Sequence, residues 1–308
     1  VRRVLILLNP VAGAKKLRWS PERLQEYFKH ERDIELVIKY TEYKGHGTEI
    51  INDYLDKGLT DCVAVGGDGS LRDVVTPLIH QKINVGILPT GSGNGIARHL
   101  NIPVHSSKAL DIIKEGRSIP LDAGSYGDHY FFSNAGIGLD AWIIKKYDSI
   151  PQRGWFTYSR LGVSQYFQFK PPEVQVQLAD QTYKKRLAIC SIALSNQYGY
   201  NVKIAPGASL FDGLFDVQLI PMLNVFRSLD FTAHMLSGKP YRPRDVIYHQ
   251  TDIVDLDMEA GLPMQLDGEP FTTAAHMQFK ILPAAWNALV PEQVYDAYTI
   301  KNSQAFQK

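Results

Sequence analysis

The sequence predicts two domains of different class, an α/β domain followed by a mostly antiparallel β domain, and three observations carry that expectation. Two glycine-rich stretches, Gly66-Gly67-Asp68-Gly69-Ser70 and Gly91-Ser92-Gly93-Asn94-Gly95, each follow directly on an apolar run. Residues 1–121 alternate apolar runs with segments of helical texture. Beyond residue 121 the texture changes to short apolar runs divided by turn residues such as Gly127-Asp128 and Gly261.

Taken in order, the first domain reads as strands at 3–8, 34–40, 62–65 and 84–88, with helices at 20–30, 47–57, 70–80 and 106–115. Ser20-Pro21-Glu22 is a helix start, with Ser as cap, Pro at the first position and an acid in the first turn. Alternation of this kind predicts a Rossmann-like parallel sheet covered on both faces. Ligands of such sheets bind at the carboxyl ends of the strands. Asn9-Pro10, Thr41, Gly66–Ser70 and Gly91–Gly95 all fall at those ends, so four loops converge on one edge. The second domain reads as strands at 121–125, 129–135, 173–179, 186–195, 214–220, 251–258, 263–267 and 275–282, with helices at 137–148 and 222–237. That is the texture of a β-sandwich. The expected boundaries are 1–121 for the nucleotide-type domain and 122–285 for the sandwich, with 286–308 returning to the first.

Composition narrows the partners. The length of 308 residues fits about two domains, and 44% hydrophobic residues suffice for two cores. A net charge of +1 gives no bulk drive toward nucleic acid, so an anionic partner must be met locally. Cys62 and Cys190 both lie in apolar runs and read as buried thiols of a reducing compartment rather than as a disulfide or metal pair. The opening Val1-Arg2-Arg3-Val4-Leu5-Ile6-Leu7-Leu8 mimics a signal peptide, but its apolar run is short and Asn9-Pro10 stops it, so it reads as a buried first strand. There are nowhere 18 consecutive apolar residues, so lipid would be met from the surface.

The glycine loops suit phosphate, because they expose backbone N–H groups and open the positive end of a helix. Neither is a Walker A motif, and Gly91-x-Gly93-x-Gly95 has the wrong spacing for a dinucleotide fingerprint. Asp68, flanked by Gly67 and Gly69, reads either as a carboxylate reaching a metal or an attacking hydroxyl, or as a turn residue capping the helix from Ser70. Leu266-Asp267-Gly268-Glu269-Pro270 puts two acids on one turn at a strand end; the alternative for that segment alone is a solvated β-turn.

These residues resemble the diacylglycerol kinase catalytic family, which also includes sphingosine and ceramide kinases and bacterial lipid kinases. Gly66–Ser70 with Leu71-Arg72-Asp73-Val74-Val75 resembles its glycine-rich signature, Asn9-Pro10-Val11-Ala12-Gly13 its opening motif, and Thr41 with Gly45-His46-Gly47 its second nucleotide segment. Gly91-Ser92-Gly93-Asn94 is similar to its Gly-Ser/Thr-x-Asn motif, and Asp212-Gly213-Leu214-Phe215-Asp216 and Leu266-Asp267-Gly268-Glu269 to the two motifs of its second domain. The resemblance implies an NAD kinase/diacylglycerol kinase-like fold and transfer of the ATP γ-phosphate to a lipid hydroxyl. It implies that Asn9, Pro10, Thr41, Gly66, Gly67, Asp68, Gly69, Ser70, Gly91, Ser92, Gly93 and Asn94 contact nucleotide. It implies a structural Mg2+ on Asp212 and the carbonyls of Leu214 and Ser209, and a proton-accepting base among Asp267, Glu269 and Asp68. The expected setting is cytoplasmic, peripheral at the inner membrane face, in phospholipid metabolism, and the resemblance admits a homodimer. Many bacterial members carry Asp after the Asn of the second loop, where this chain has Gly95.

Residues 151–170 hold Trp155, Phe156, Tyr158, Tyr166, Phe167 and Phe169 among Arg153, Arg160 and Lys170. The segment reads either as an interfacial or acyl-chain surface or as a core-facing helix with a solvated basic face. Two rival functions remain. NAD kinase shares the Gly-Gly-Asp-Gly loop but needs an Asn-Glu/Asp motif and a Gly-Thr-Pro-type loop that this sequence lacks. A non-catalytic nucleotide- or lipid-binding protein has Gly95 as its support.

Overall fold

The computed structural model describes residues 1–10, 19–104, 106–150, 155–179, 181–199 and 202–305. Two compact units divide the chain: Val1–Leu121 with Ala284–Lys308, and Asp122–Pro283. The chain leaves the first unit within the strand Ser118–Tyr126 and re-enters it within the strand His276–Leu289.

The first unit is built from β1 (Arg2–Leu8), α1 (Pro21–Phe28), β2 (Ile34–Tyr40), α2 (His46–Leu55), β3 (Asp61–Gly66), α3 (Asp68–Val75), β4 (Asn84–Pro89), α4 (Gly95–His99), α5 (Lys108–Glu115) and the start of β5 (Ser118–Tyr126). Its sheet has the order β2-β1-β3-β4, and all three pairings are parallel. β1, β3 and β4 are apolar runs because they are covered on both faces; Val4 through Leu8 and Cys62 through Val65 are all buried. The one buried charge at the strand starts is satisfied. Asp61 is fully enclosed and meets Arg2 at 2.9 Å and Asn84 Nδ2 at 3.1 Å, with Thr60 also donating. Ser20 caps α1 by accepting the Arg23 N–H, as its sequence position predicts.

The second unit continues through β6 (His129–Phe131), β7 (Asn134–Gly138), α6 (Leu139–Asp148), α7 (Trp155–Tyr166), β8 (Glu173–Leu178), β9 (Gln181–Arg186), β10 (Ile189–Ala193), β11 (Phe215–Ile220), α8 (Val225–Ser237), β12 (Ile247–Thr251), β13 (Ile253–Met258), β14 (Pro263–Leu266), β15 (Glu269–Thr272) and β16 (His276–Leu289). α9 (Glu292–Ala305) then belongs to the first unit. One antiparallel sheet has the order β12-β11-β10-β7-β14-β15. Facing strands include β13 between β8 and β16, all antiparallel. Phe131 of β6 stacks on Phe215 of β11 at 5.7 Å and meets Phe279 of β16 edge-on at 6.2 Å, so aromatic rings from both sheets share one core. α8 covers the outer face of the first sheet, where Phe231 packs with Ile204, Ile220 and Leu223.

Several boundaries differ from the sequence expectation. The helix expected at 70–80 starts at Asp68 and ends at Val75. The run 129–135 is two strands, and two further strands, β9 and β15, interrupt what read as turns. The segment 155–166 is a helix; Val11, Ala12, Gly13 and Arg153 lie outside the described residues, as do the side chains of Trp155, Phe156 and Tyr158. Phe169 packs edge-on against Trp142 at 6.2 Å, whereas Phe167 is exposed. Among the described residues no helix is long and apolar enough to cross a membrane. Both thiols are free and buried, and burial pushes Cys190 up to about 12 and Cys62 higher still, so neither is a reactive thiolate.

Candidate active site

In the first unit the loops after β1, β2, β3 and β4 meet at the carboxyl edge of the sheet. Asn9 Nδ2 donates to Ser70 Oγ at 3.0 Å, joining the first loop to α3. Thr41 donates its N–H to the Leu8 carbonyl at 2.9 Å, holding the end of β2 beside the end of β1. The two glycine loops touch: Thr90 and Gly91 donate to the Gly66 carbonyl at 2.9 and 3.2 Å. A Cβ on Gly91 would stand 2.4 Å from Gly67 Cα, so only glycine permits this approach. Asn94 is buried in the left-handed conformation, with φ 51, and donates to the Gly91 carbonyl at 2.6 Å. Arg98 binds the Gly93 carbonyl at 3.0 Å. Pro10 and Ser92 are exposed at the rim.

Asp68 resolves which helix end is open to a ligand. Its carboxylate accepts the backbone N–H groups of Gly95, Ile96 and Asn94, so it closes the amino terminus of α4. Burial pushes its pKa up, against the lowering effect of those hydrogen bonds. The α3 terminus stands differently. Gly67 occupies its cap position and offers no side chain; the Asp68 N–H meets its own carboxylate, and the N–H groups of Gly69 and Ser70 have no carbonyl within the helix to meet. A Cβ on Gly69 would meet nothing within 4 Å, so that side of the turn is open. Of the two phosphate-type loops in the sequence, the second is therefore capped by Asp68, and the first keeps the Gly69 and Ser70 end of its helix turn open.

In the second unit the sequence candidates form two groups. Ser209, Asp212 and Leu214 lie on the turn into β11. Leu214 N–H meets Asp212 Oδ1 at 3.2 Å, and Gly213 N–H meets the buried Asp122 carboxylate at 2.8 Å. Asp122 was not singled out in the sequence; the Asp-Ala-Gly at the end of an apolar strand gave no local sign of it. The turn thus brings two carboxylates, Asp122 and Asp212, onto adjacent backbone N–H groups. That all-oxygen donor set, with one or two acids, fits a hard ion such as Mg2+ that keeps part of its water. Among the described residues no cluster of three or more His, Cys, Asp or Glu suggests a softer or more fully caged metal.

Asp267 and Glu269 flank the β14–β15 turn, as their spacing predicts. The Asp267 carboxylate is engaged by three backbone donors: Phe132 N–H at 2.8 Å, Ser133 N–H at 2.7 Å and Asn134 N–H at 3.1 Å. Gln265, almost fully buried, accepts the Gly268 N–H at 2.8 Å and donates to Asn134 Oδ1 at 2.6 Å. The turn is therefore tied to the β6–β7 segment from two sides.

Next to that network lies Asp140, a residue the sequence reading passed over although Gly136-Ile137-Gly138 before it, at a strand-to-helix junction, was a usable signal. It is buried, Tyr198 hydroxyl lies 3.4 Å from its Oδ2, and its Oδ1 has no hydrogen-bond partner among the described residues. Burial raises its pKa from 3.8 to about 6, partly offset by hydrogen bonds from Ala141, Gln265 and Tyr198. The folded state thus holds this proton more tightly than the unfolded chain. The group's contribution is fully present below about pH 4 and is lost as pH rises through about 6. We expect the stability of the wild type relative to Asp140→Asn to fall by about 2–3 kcal/mol between pH 4 and 7. Urea unfolding of both proteins at several pH values checks this, and parallel profiles would remove Asp140 as the titrating group.

An α/β domain with a glycine-built, helix-opening edge is followed by a sandwich carrying an acidic turn, a two-domain α/β-plus-β architecture. Comparison with known proteins narrows the class. Residues 3–126 match the diacylglycerol kinase catalytic domain, and residues 133–290 match the YegS C-terminal NAD kinase beta sandwich-like domain. The chain belongs to this family of diacylglycerol kinase and YegS-like lipid kinases. It is 27% identical over 296 residues to a "Probable lipid kinase YegS-like" of Chromohalobacter salexigens, covering 94% of this chain and 93% of that protein. It is 25% identical over 277 residues to a diacylglycerol kinase of Bacillus subtilis, covering 87% and 90%. A diacylglycerol kinase structure from Bacillus anthracis str. Sterne superposes with a TM-score of 0.73 at 17% identity, covering 95% of this chain and 98% of that one, which shows a shared fold.

Proposed function

We propose that the protein transfers the γ-phosphate of ATP to the hydroxyl of a lipid alcohol. The observation that carries this reading is the open amino terminus of α3. Its first-turn N–H groups, with the open side of Gly69 and the Asn9–Ser70 pair, form an anion-binding end at the carboxyl edge of a parallel sheet. ATP phosphates on these donors meet fixed dipoles that do not reorganise as charge moves onto the transferred group. Family membership supports the lipid as acceptor. Asp68 serves the same end indirectly, by fastening the second glycine loop to the first.

A lipid hydroxyl is a weak nucleophile and must lose its proton during transfer. Of the three candidate carboxylates, Asp267 receives three backbone N–H groups and Asp68 four, its own among them. Those donors take up the lone pairs of both carboxylates and leave little room for a substrate hydroxyl. We assign the base to Glu269, on the strand that Asp267 and Gln265 hold in place. Mg2+ on Asp212 and the Leu214 and Ser209 carbonyls, beside Asp122, would supply a fixed positive charge that orders this turn.

The test is transfer of radiolabelled γ-phosphate from ATP with magnesium into a pooled lipid extract, followed by chromatography of the lipids. A labelled lipid is expected, with Glu269→Gln lowering turnover about 100-fold or more while the thermal midpoint is kept. Unchanged turnover in that variant would return the base to Asp68 or Asp267. Label in a soluble dinucleotide on adding NAD, with none in lipid, would overturn the lipid reading.

A further inference from the structure

Asp140 and Gln265 form a buried pair to which the chemistry above gives no task. Asp140 is 5% exposed and Gln265 1%, so neither has bulk water to fall back on. They meet on one face of a sheet. Gln218, Ser191, Gly136 and Gln265 stand opposite one another across β11, β10, β7 and β14, and α6 packs on β7 and β14 with Asp140 in its first turn. A Cβ on Gly136 would stand 2.1 Å from Asp140 Oδ2 and 2.7 Å from Gln265 Nε2, so carboxylate and amide share the space a side chain at 136 would fill. Gln265 Nε2 donates to Asn134 Oδ1 at 2.6 Å and to the Asp140 carboxylate, and its Oε1 accepts the Gly268 N–H at 2.8 Å. Both ends of the amide are therefore engaged.

The link has a direction. An ionised carboxylate only accepts, so it takes the NH2 end of Gln265 and leaves the oxygen for Gly268. Protonation replaces a charge-assisted bond by one about half as strong, and a protonated carboxyl also tolerates the reversed amide, which would set NH2 against the Gly268 N–H. Gly268, at φ 79, follows Asp267 in the two-residue turn between β14 and β15, and Leu266 pairs directly with Glu269 across that turn. A shift of Gly268 is therefore passed to Glu269. The Glu269 side chain does not face Asp140, because it shares the face of Leu266, opposite to that of Gln265. Among the described side chains, the titratable groups around Asp140 are the Tyr198 hydroxyl, which donates to it, and the neutral Cys190 thiol of β10. β7 and β14 present neutral residues, and α7 brings Arg160, which is exposed, and Tyr166, which is bonded to the Leu223 carbonyl.

We propose that Asp140 is a positioning residue for the turn that carries Glu269: its ionised carboxylate orients the Gln265 amide, which holds the Gly268 N–H and through it the start of β15. Burial raises Asp140 to about 6, so the link is complete above that pH and loosens below it. The effect on turnover rests on the lipid-kinase reading; the link does not, and the first measurement uses no ATP. Labelling with 13C-carbonyl aspartate and 15N-glycine selects the amides of Gly69, Gly213 and Gly268 in a proton–nitrogen spectrum. The Gly268 resonance should shift with a midpoint near pH 6. Asp140→Asn cannot ionise yet still accepts through Oδ1, and should hold that resonance near its high-pH position throughout, with Gly69 and Gly213 unmoved. With ATP and lipid, Asp140→Ala and Gln265→Ala should each lower kcat about tenfold with little change in KM, and the double variant should be no slower than the slower single one. Asp140→Asn should keep most of the wild-type kcat at pH 7 and decline less steeply than the wild type toward pH 5. A Gly268 resonance that does not titrate, or that titrates equally in Asp140→Asn, would overturn the assignment whatever the enzyme transfers. Losses in the two Ala variants that multiply to about a hundredfold would overturn it too, since each residue would then act alone. Absence of lipid transfer with the Gly268 titration present would reject the lipid-kinase reading and uphold the link.

Discussion

Asp267→Ala should lower the unfolding free energy by about 4 kcal/mol or more, and the thermal midpoint by about 10 °C. The size of the effect comes from what the carboxylate serves. Phe132, Ser133 and Asn134 are all buried, and each donates its backbone N–H to Asp267. Removing the acceptor strands three donors where water has little access, and each costs about 1–3 kcal/mol. Asp267 also sits at φ 51, a left-handed position that Asp tolerates better than Ala. Two companions separate the contributions. Asp267→Gly removes the acceptor but suits the backbone, and should lose about 1 kcal/mol less than Ala. Asp267→Asn keeps one oxygen and should fall between wild type and Gly. Calorimetric unfolding of the three variants measures the series, and a loss below about 1 kcal/mol for Ala would mean that the three donors find other acceptors. On the proposed reading phosphoryl transfer should fall in all three, because the turn that carries Glu269 loses its anchor.

That carboxylate also explains why part of the fold was hidden in the sequence. The run 129–135 looks like one strand, and its break between Phe131 and Asn134 is made by an acid more than 130 residues away. No local pattern encodes such a partner. The same holds for α4, a five-residue helix opened by glycine, whose amino terminus is satisfied by Asp68. β9, with the sequence Gln-Thr-Tyr-Lys-Lys-Arg, has no apolar alternation and exists through its pairing with β8. By contrast β1, β3 and β4 were legible because a strand covered on both faces must be an apolar run. The glycine loops were legible because a close backbone approach needs glycine at a fixed place. The residue types of the candidate site could therefore be read directly. Their division of labour could not, since whether Asp68 and Asp267 act as acids or as anchors depends on distant N–H groups.

The glycine loops themselves give the second large effect. Gly91→Ala places a methyl 2.4 Å from Gly67 Cα and 3.0 Å from Gly67 N, and neither neighbour is a side chain that can turn away. The loops must separate, and with them the Gly66 carbonyl contacts and the Asp68 link to α4. Overpacking of this kind costs about 1–3 kcal/mol of stability. On the nucleotide reading it should also weaken ATP binding by about 100-fold, because the phosphate donors of α3 move with Gly67. Gly69→Ala is the informative contrast. Its new methyl meets no atom of the protein within 4 Å, and it sits in the first turn of a helix, where Ala is the better helix former. Its stability should be unchanged or higher by up to about 1 kcal/mol. Yet the methyl would occupy the open side of the turn, where the phosphates are proposed to lie, so ATP affinity should fall. Calorimetric titration with ATP alongside thermal unfolding reads both quantities. If Gly69→Ala gains stability and keeps its ATP affinity, the α3 terminus is not the phosphate site. If it gains stability and loses affinity, the glycine is there for the ligand rather than for the fold, whereas Gly91 is there for both.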